Sequence, residues 1–165
     1  MYSPMALQLS TPRLRLRPLA DGDVALYREM ITERGEPMPS VDEARARIAR
    51  QHAAAAEHGF ALLAAEDRAS GGFLGYCGII VGRASAEEPE IAYELLRRFH
   101  RKGFATEAAR AVIDAIALTG RSRLWSTVRT WNAPSLRVLD KVGFVRSHTT
   151  RDEKGDVVWL TRALH

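Results

Sequence analysis

The chain has 165 residues, of which 46% are hydrophobic and 27% charged, and its formal net charge is +4. That length suits one domain with a packed core, so a single domain over residues 1–165 is expected. No apolar run approaches the ~20 residues of a membrane helix, and the first residues lack the basic-then-apolar pattern of a secretory signal. The only cysteine, Cys77, excludes an intrachain disulfide and lies in an apolar stretch, as a small core residue does. A cytoplasmic protein is the expectation. The positive charge suits an anionic ligand or nucleic acid. The arginines are scattered rather than blocked, which disfavours nucleic acid.

Leu14-Arg15-Leu16-Arg17 alternates and predicts a half-exposed first strand. Asp21 or Asp23 can cap a first helix reaching about Ile31. Ser40-Val41-Asp42-Glu43 is a capping-box pattern that opens a second helix, ended by Gly59. Strands follow over residues 60–65, 73–81 and 90–96. Gly75 and Gly78 weaken the middle one or mark a bulge. In the last, Ile91, Tyr93 and Leu95 share one face, and Glu90, Ala92 and Glu94 the other. Ala105, Ala108, Ala109, Val112, Ile113 and Ile116 then follow helical spacing, and Gly120 stops the helix. Residues 124–128 read as a strand. Asn132 caps a further helix ending at Gly143. Strands over 144–149 and 157–161 close the chain, joined by a turn at Asp152-Glu153-Lys154-Gly155. A mixed α/β sheet with helices on both faces follows.

The basic loop before the third helix carries the chemistry. Arg97, Arg98, Arg101 and Lys102 lead to Gly103, and a helix starts at once. A helix start has unpaired N–H groups and partial positive charge, which together bind anions such as phosphate. Gly103 allows close backbone approach. Ala105 is small for the same reason, and Thr106 offers a hydroxyl. The loop is neither a P-loop nor a dinucleotide fingerprint. A connector with solvated arginines reads equally well from these residues alone.

The run from Tyr93 to Ala108, YELLRRFHRKGFATEA, resembles the acetyl-CoA-binding motif of the GNAT superfamily of N-acetyltransferases. The stretch Thr127 to Phe144, TVRTWNAPSLRVLDKVGF, is similar to the family's downstream motif, about 30 residues on. The opening Leu9–Arg17 is similar to the first strand of the Rim-type, ribosomal-protein N-terminal acetyltransferase branch. The resemblance implies a GNAT fold of about seven strands and four helices. Its sheet would splay between the fourth and fifth strands, here residues 90–96 and 124–128. Coenzyme A would enter that cleft. Backbone groups of Leu95 and Leu96 would run beside the pantetheine arm. Amides of Arg101, Lys102, Gly103, Phe104, Ala105 and Thr106 would hold the pyrophosphate. Asn132 would bond the pantetheine or thioester end, in addition to capping its helix.

The implied reaction is transfer of acetyl from acetyl-CoA to an amine by direct attack in a ternary complex. Two positions depart from the family pattern. His100 stands where Gln, Arg or Trp is common, followed by Arg101 where a small residue is usual. Leu139 replaces the tyrosine that many members use to protonate the leaving thiolate, and Ser135 is the substitute candidate. Its hydroxyl can equally pair with backbone. Glu90 and Glu94 are the candidate bases, or else solvated or ion-paired strand residues. A backbone N–H near Leu95 or Leu96 would stabilise the oxyanion. His52, His58 and His148 have no matching cysteine or carboxylate spacing, so no metal is expected. Trp125, Trp131 and Trp159 read as core or cleft walls. The acceptor would be a peptide N-terminus or a small amine, and the protein a monomer or homodimer. An acyl-CoA-binding regulatory module without turnover is the alternative, ahead of a basic nucleic-acid-binding domain.

Overall fold

A computed structural model describes residues 1–165. Strand β1 (Leu9–Ser10) and strand β2 (Leu14–Pro18) form a short hairpin. The Thr11 hydroxyl accepts the Leu14 amide at 2.9 Å inside its turn. The opening segment therefore breaks at Pro12, which has no N–H to offer a ladder, and the sheet has eight strands rather than seven.

A 3-10 turn (Asp21–Asp23) leads into α1 (Val24–Glu33), and neither aspartate caps it. Asp23 instead turns back to take two bonds from Arg17, at 2.8 and 2.9 Å, and one from the Ala20 amide at 2.8 Å. Helix α2 (Val41–His58) starts as its capping residue predicts: the Ser40 hydroxyl accepts the Glu43 amide at 3.0 Å, and Gly59 ends it. Ser40→Ala should cost about 1 kcal/mol, read as a melting point lower by ~2–4 °C.

Strands β3 (Leu62–Asp67), β4 (Phe73–Ile80) and β5 (Glu90–Leu95) follow as an antiparallel run. Gly75 stands beside a bulge in β4 itself: Ala65 pairs with Gly75 and Glu66 with Phe73, which leaves Leu74 as the extra residue. A Cβ at Gly75 would sit 2.1 Å from the Glu94 carbonyl oxygen, so no other residue fits without moving β5. Then come α3 (Phe104–Ala117), β6 (Arg123–Arg129), α4 (Ala133–Lys141), β7 (Val145–Asp152) and β8 (Gly155–Ala163).

The sheet order is β1-β2-β3-β4-β5-β6-β8-β7. Only β5 and β6 run parallel, because α3 carries the chain across between them. Helices α3 and α4 cover one face through Ala108, Ala109, Val112, Ile116 and Leu139. Helices α1 and α2 cover the other through Tyr27, Met30, Ile31 and Ile48. Cys77, on β4, is completely buried in the first of these cores, and burial pushes its thiol pKa up.

One feature of the sheet makes the site. Strands β5 and β6 share a single registered pair, Glu90 opposite Trp125. Beyond it they part, and the C-terminal half of β5 has β4 alone as a partner.

Candidate active site

The loop between β5 and α3 ends in two left-handed residues, Arg101 at φ +60° and Gly103 at φ +81°. A non-glycine residue at positive φ is uncommon, and such conformations gather at ligand-binding loops. Left-handed turns set successive N–H groups toward one concavity, a nest for anions. The amides of Arg101, Lys102, Gly103, Phe104, Ala105 and Thr106 donate to no backbone carbonyl in the chain. The last three open α3 and add its positive end. Six consecutive uncommitted donors in a basic loop are the kind of arrangement that can receive an anion.

Alternate residues of β5 serve its two edges. The Leu96 amide donates to the Leu74 carbonyl at 2.9 Å, so Glu94 and Leu96 bond toward β4. Tyr93 and Leu95 consequently aim their amides at the gap beside β6. Leu96 differs from its neighbour. Its N–H donates to Leu74 and its carbonyl accepts the Phe99 amide at 2.9 Å, so its N–H is not free for the cleft. Leu95 keeps its N–H for the cleft, while its carbonyl accepts the His100 ring at 2.7 Å. A carbonyl can only accept, so His100 carries its proton on Nε2. The departure at position 100 thus has a purpose: the imidazole fastens the end of β5.

Across the gap lies the start of α4. Asn132 Oδ1 accepts the Ser135 amide at 3.3 Å and caps the helix, and the Asn132 amide group stays free to donate. The Tyr93 hydroxyl donates to the Ser135 carbonyl at 3.0 Å, tying β5 to α4. Burial pushes the Tyr93 pKa up, opposed by that bond. The Ser135 main chain is thus fixed at both ends. Leu139 is fully buried core, so α4 offers no acid at that position.

The two glutamates differ. Glu90 is 4% exposed. Its oxygens accept the Arg83 amide at 2.8 Å and the Thr127 hydroxyl at 3.0 Å. Burial raises its pKa, and both bonds oppose the rise. It fastens the β4–β5 loop to β6 at the point where the strands still pair. Glu94 lies further along, toward the gap. Arg34, at the end of α1, reaches both its oxygens at 3.1 and 3.0 Å and also pairs with Glu36 at 3.0 Å. Tyr76 donates to Glu94 at 3.4 Å. Burial lifts the Glu94 pKa, and Arg34 opposes it.

Sequence spacing could not find Arg34 or Tyr93 as partners, since each bond joins segments more than 40 residues apart. Trp131 is 77% exposed beside Asn132, so it is neither core nor a closed wall. Trp125, Trp159 and His148 pack together on the sheet, Trp125 edge-on to Trp159 and His148 stacked on Trp159.

Residues 13–145 match the acetyltransferase (GNAT) domain family. The uncharacterized protein YkkB of Bacillus subtilis is 36% identical over 97 residues, 57% of this chain and 56% of that protein. The chain spans about half the length of the curated relatives it matches. RimJ of Mycobacterium smegmatis, solved in complex with CoA-disulfide, shares the fold at TM-score 0.78 and 23% identity, over 94% of this chain and 85% of that one. So does yncA of Salmonella typhimurium, solved with its cofactor acetyl-CoA, at TM-score 0.76 and 18% identity, over 93% and 95%. The family match spans both the anion loop and the capped start of α4, the two halves of the cleft: the chain belongs to the GNAT acetyltransferases.

Proposed function

We propose that this protein transfers acetyl from acetyl-CoA to a primary amine, acting as a single domain with both substrates bound together. The observation that carries the reading is the row of six uncommitted amides from Arg101 to Thr106. They suit a diphosphate, and the gap beside Leu95 suits the extended arm that follows it. RimJ and yncA were each solved with coenzyme A or a derivative of it, which supports the same ligand here.

The chemistry divides among few groups. The Leu95 N–H faces the gap and can receive the developing oxyanion. The Ser135 hydroxyl supplies the proton for the leaving thiolate. Glu94 takes the amine's proton through water, once Arg34 yields one of its oxygens. Glu90, with both oxygens bonded, braces the strand junction. Asn132 offers its amide group to the pantetheine arm.

A carboxylate, even one whose pKa burial has lifted, is a far weaker base than an alkylamine, and that favours an acceptor that needs little help. An α-amine of pKa ~7.7–8.0 is roughly a tenth to a fifth neutral at pH 7. A lysine at ~10.4 is neutral at well under about a tenth of a per cent. The acceptor is accordingly a peptide N-terminus or a weakly basic small amine. A competition assay with a peptide carrying both a free N-terminus and an internal lysine tests this. Acetylation of the N-terminus is expected, and faster acetylation of the lysine would overturn the assignment.

A further inference from the structure

Arg13 lies in the turn between β1 and β2, about 90 residues from the anion loop, and makes more bonds to that loop's frame than any residue within it. Its Nη1 donates to the Lys102 carbonyl at 2.8 Å. Its Nε and its backbone N–H donate to the two oxygens of Glu107, at 2.8 and 3.0 Å. Its guanidinium lies 4.2 Å from the ring centre of Phe104. Thr11, two residues before, donates to the same Glu107 carboxylate.

We infer that Arg13 is a positioning residue for the diphosphate-binding loop: by holding the Lys102 carbonyl and neutralising Glu107, it aims the Gly103 amide at the ligand. The inference rests on the reading of this loop as the coenzyme's diphosphate site. Peptide geometry supplies the first half. In a trans peptide the carbonyl of one residue and the N–H of the next point in opposite directions. No peptide in the chain is cis. With the Lys102 oxygen drawn to Arg13, the Gly103 N–H is driven to the other side, away from Arg13. Charge supplies the second half. Glu107 stands in the first turn of α3, whose positive end favours it but also favours a bound anion. Burial alone would raise its pKa, yet the bonds from Thr11 and Arg13 hold the carboxylate below its ordinary range. The carboxylate is thus ionised, and Arg13 cancels the repulsion that a diphosphate would meet.

The pair contributes little to stability, because the Arg13 side chain is 45% exposed and exposed pairs are worth little. That separates positioning from packing. Acetyl-CoA is titrated calorimetrically into wild type, Arg13→Ala and Arg13→Lys, and each is melted without ligand. Arg13→Ala should bind about tenfold more weakly, the size of about one ordinary hydrogen bond. Its unliganded melting point should fall by no more than about 2–4 °C. Arg13→Lys, which keeps the charge and one donor, should recover part of the affinity. Wild-type affinity in Arg13→Ala would overturn the inference while leaving the loop's role intact. So would a loss of affinity that tracks a large drop in melting point and is not relieved by lysine. A wild type that does not bind acetyl-CoA would overturn the reading of the loop itself.

Discussion

Gly103→Glu is expected to weaken acetyl-CoA binding by roughly 100-fold, or ~2.7 kcal/mol, in a protein that still folds. Two effects add. A side chain at this position starts toward the Arg13 guanidinium, 3.2 Å from the Cβ, so the new carboxylate competes with the Lys102 carbonyl and Glu107 for Arg13 and disturbs the loop. It also adds a negative charge beside the diphosphate. Folding should survive because a Cβ at this glycine meets only the tip of the Arg13 side chain, at 3.2 Å. The left-handed φ of +81° adds about 1–2 kcal/mol of strain, within the 5–15 kcal/mol typical of a domain. Gly103→Ala carries the strain without the charge, so it should lose far less affinity. Calorimetric titration with acetyl-CoA and a melting curve read all three proteins. Unchanged affinity in a folded Gly103→Glu would mean that this loop is not the anion site.

Ser135→Ala should lower the rate of acetyl transfer about 100-fold, the low end for a lost proton donor, and change acetyl-CoA affinity less than about twofold. The reason lies in how Ser135 is held. The Asn132 cap uses its backbone N–H, and Tyr93 uses its backbone carbonyl. Alanine keeps both, so helix α4 and the width of the cleft are preserved and only the hydroxyl is lost. Rate and affinity measured on one preparation distinguish a catalyst from a binding module. An unchanged rate would remove Ser135 from the mechanism and turn attention to the Tyr93 hydroxyl, 3.0 Å from its carbonyl.

What could be read from the sequence follows the range of the interaction. Local signals were legible. Ser40 and Asn132 announce helix starts because a cap bonds an amide three residues away. The α3 core face shows in its spacing, and Gly103, read as a point of close backbone approach, stands at the start of α3 with a left-handed φ. The first strand was half legible: its alternation is real over Leu14–Arg17, but the break at Pro12 and the pairing of Leu9 with Leu16 depend on folding back. The aspartate cap of α1 failed because Asp23 turns back to Arg17 and the Ala20 amide instead of bonding the amides that open the helix. The long-range polar contacts were invisible. Nothing near Glu94 foretells Arg34, 60 residues away, and nothing near Glu107 foretells Arg13, 94 residues away. Leu95 and Leu96 look alike in sequence, and only the register with β4 decides which of them turns its amide to the cleft.

The burial of Cys77 makes the folded chain silent toward thiol reagents. An aromatic disulfide dye reacts with thiolate, and this thiol is neither exposed nor readily ionised. In a turnover mixture, colour therefore reports coenzyme leaving the cleft and nothing from the protein. The same residue becomes a clock when substrates are left out. Cys77 sits mid-strand, opposite Tyr93 on the wall of the gap, so it can be labelled only when β4 opens. Its labelling rate measures how often the centre of the sheet comes apart, and any ligand that fills the gap beside β5 should slow it.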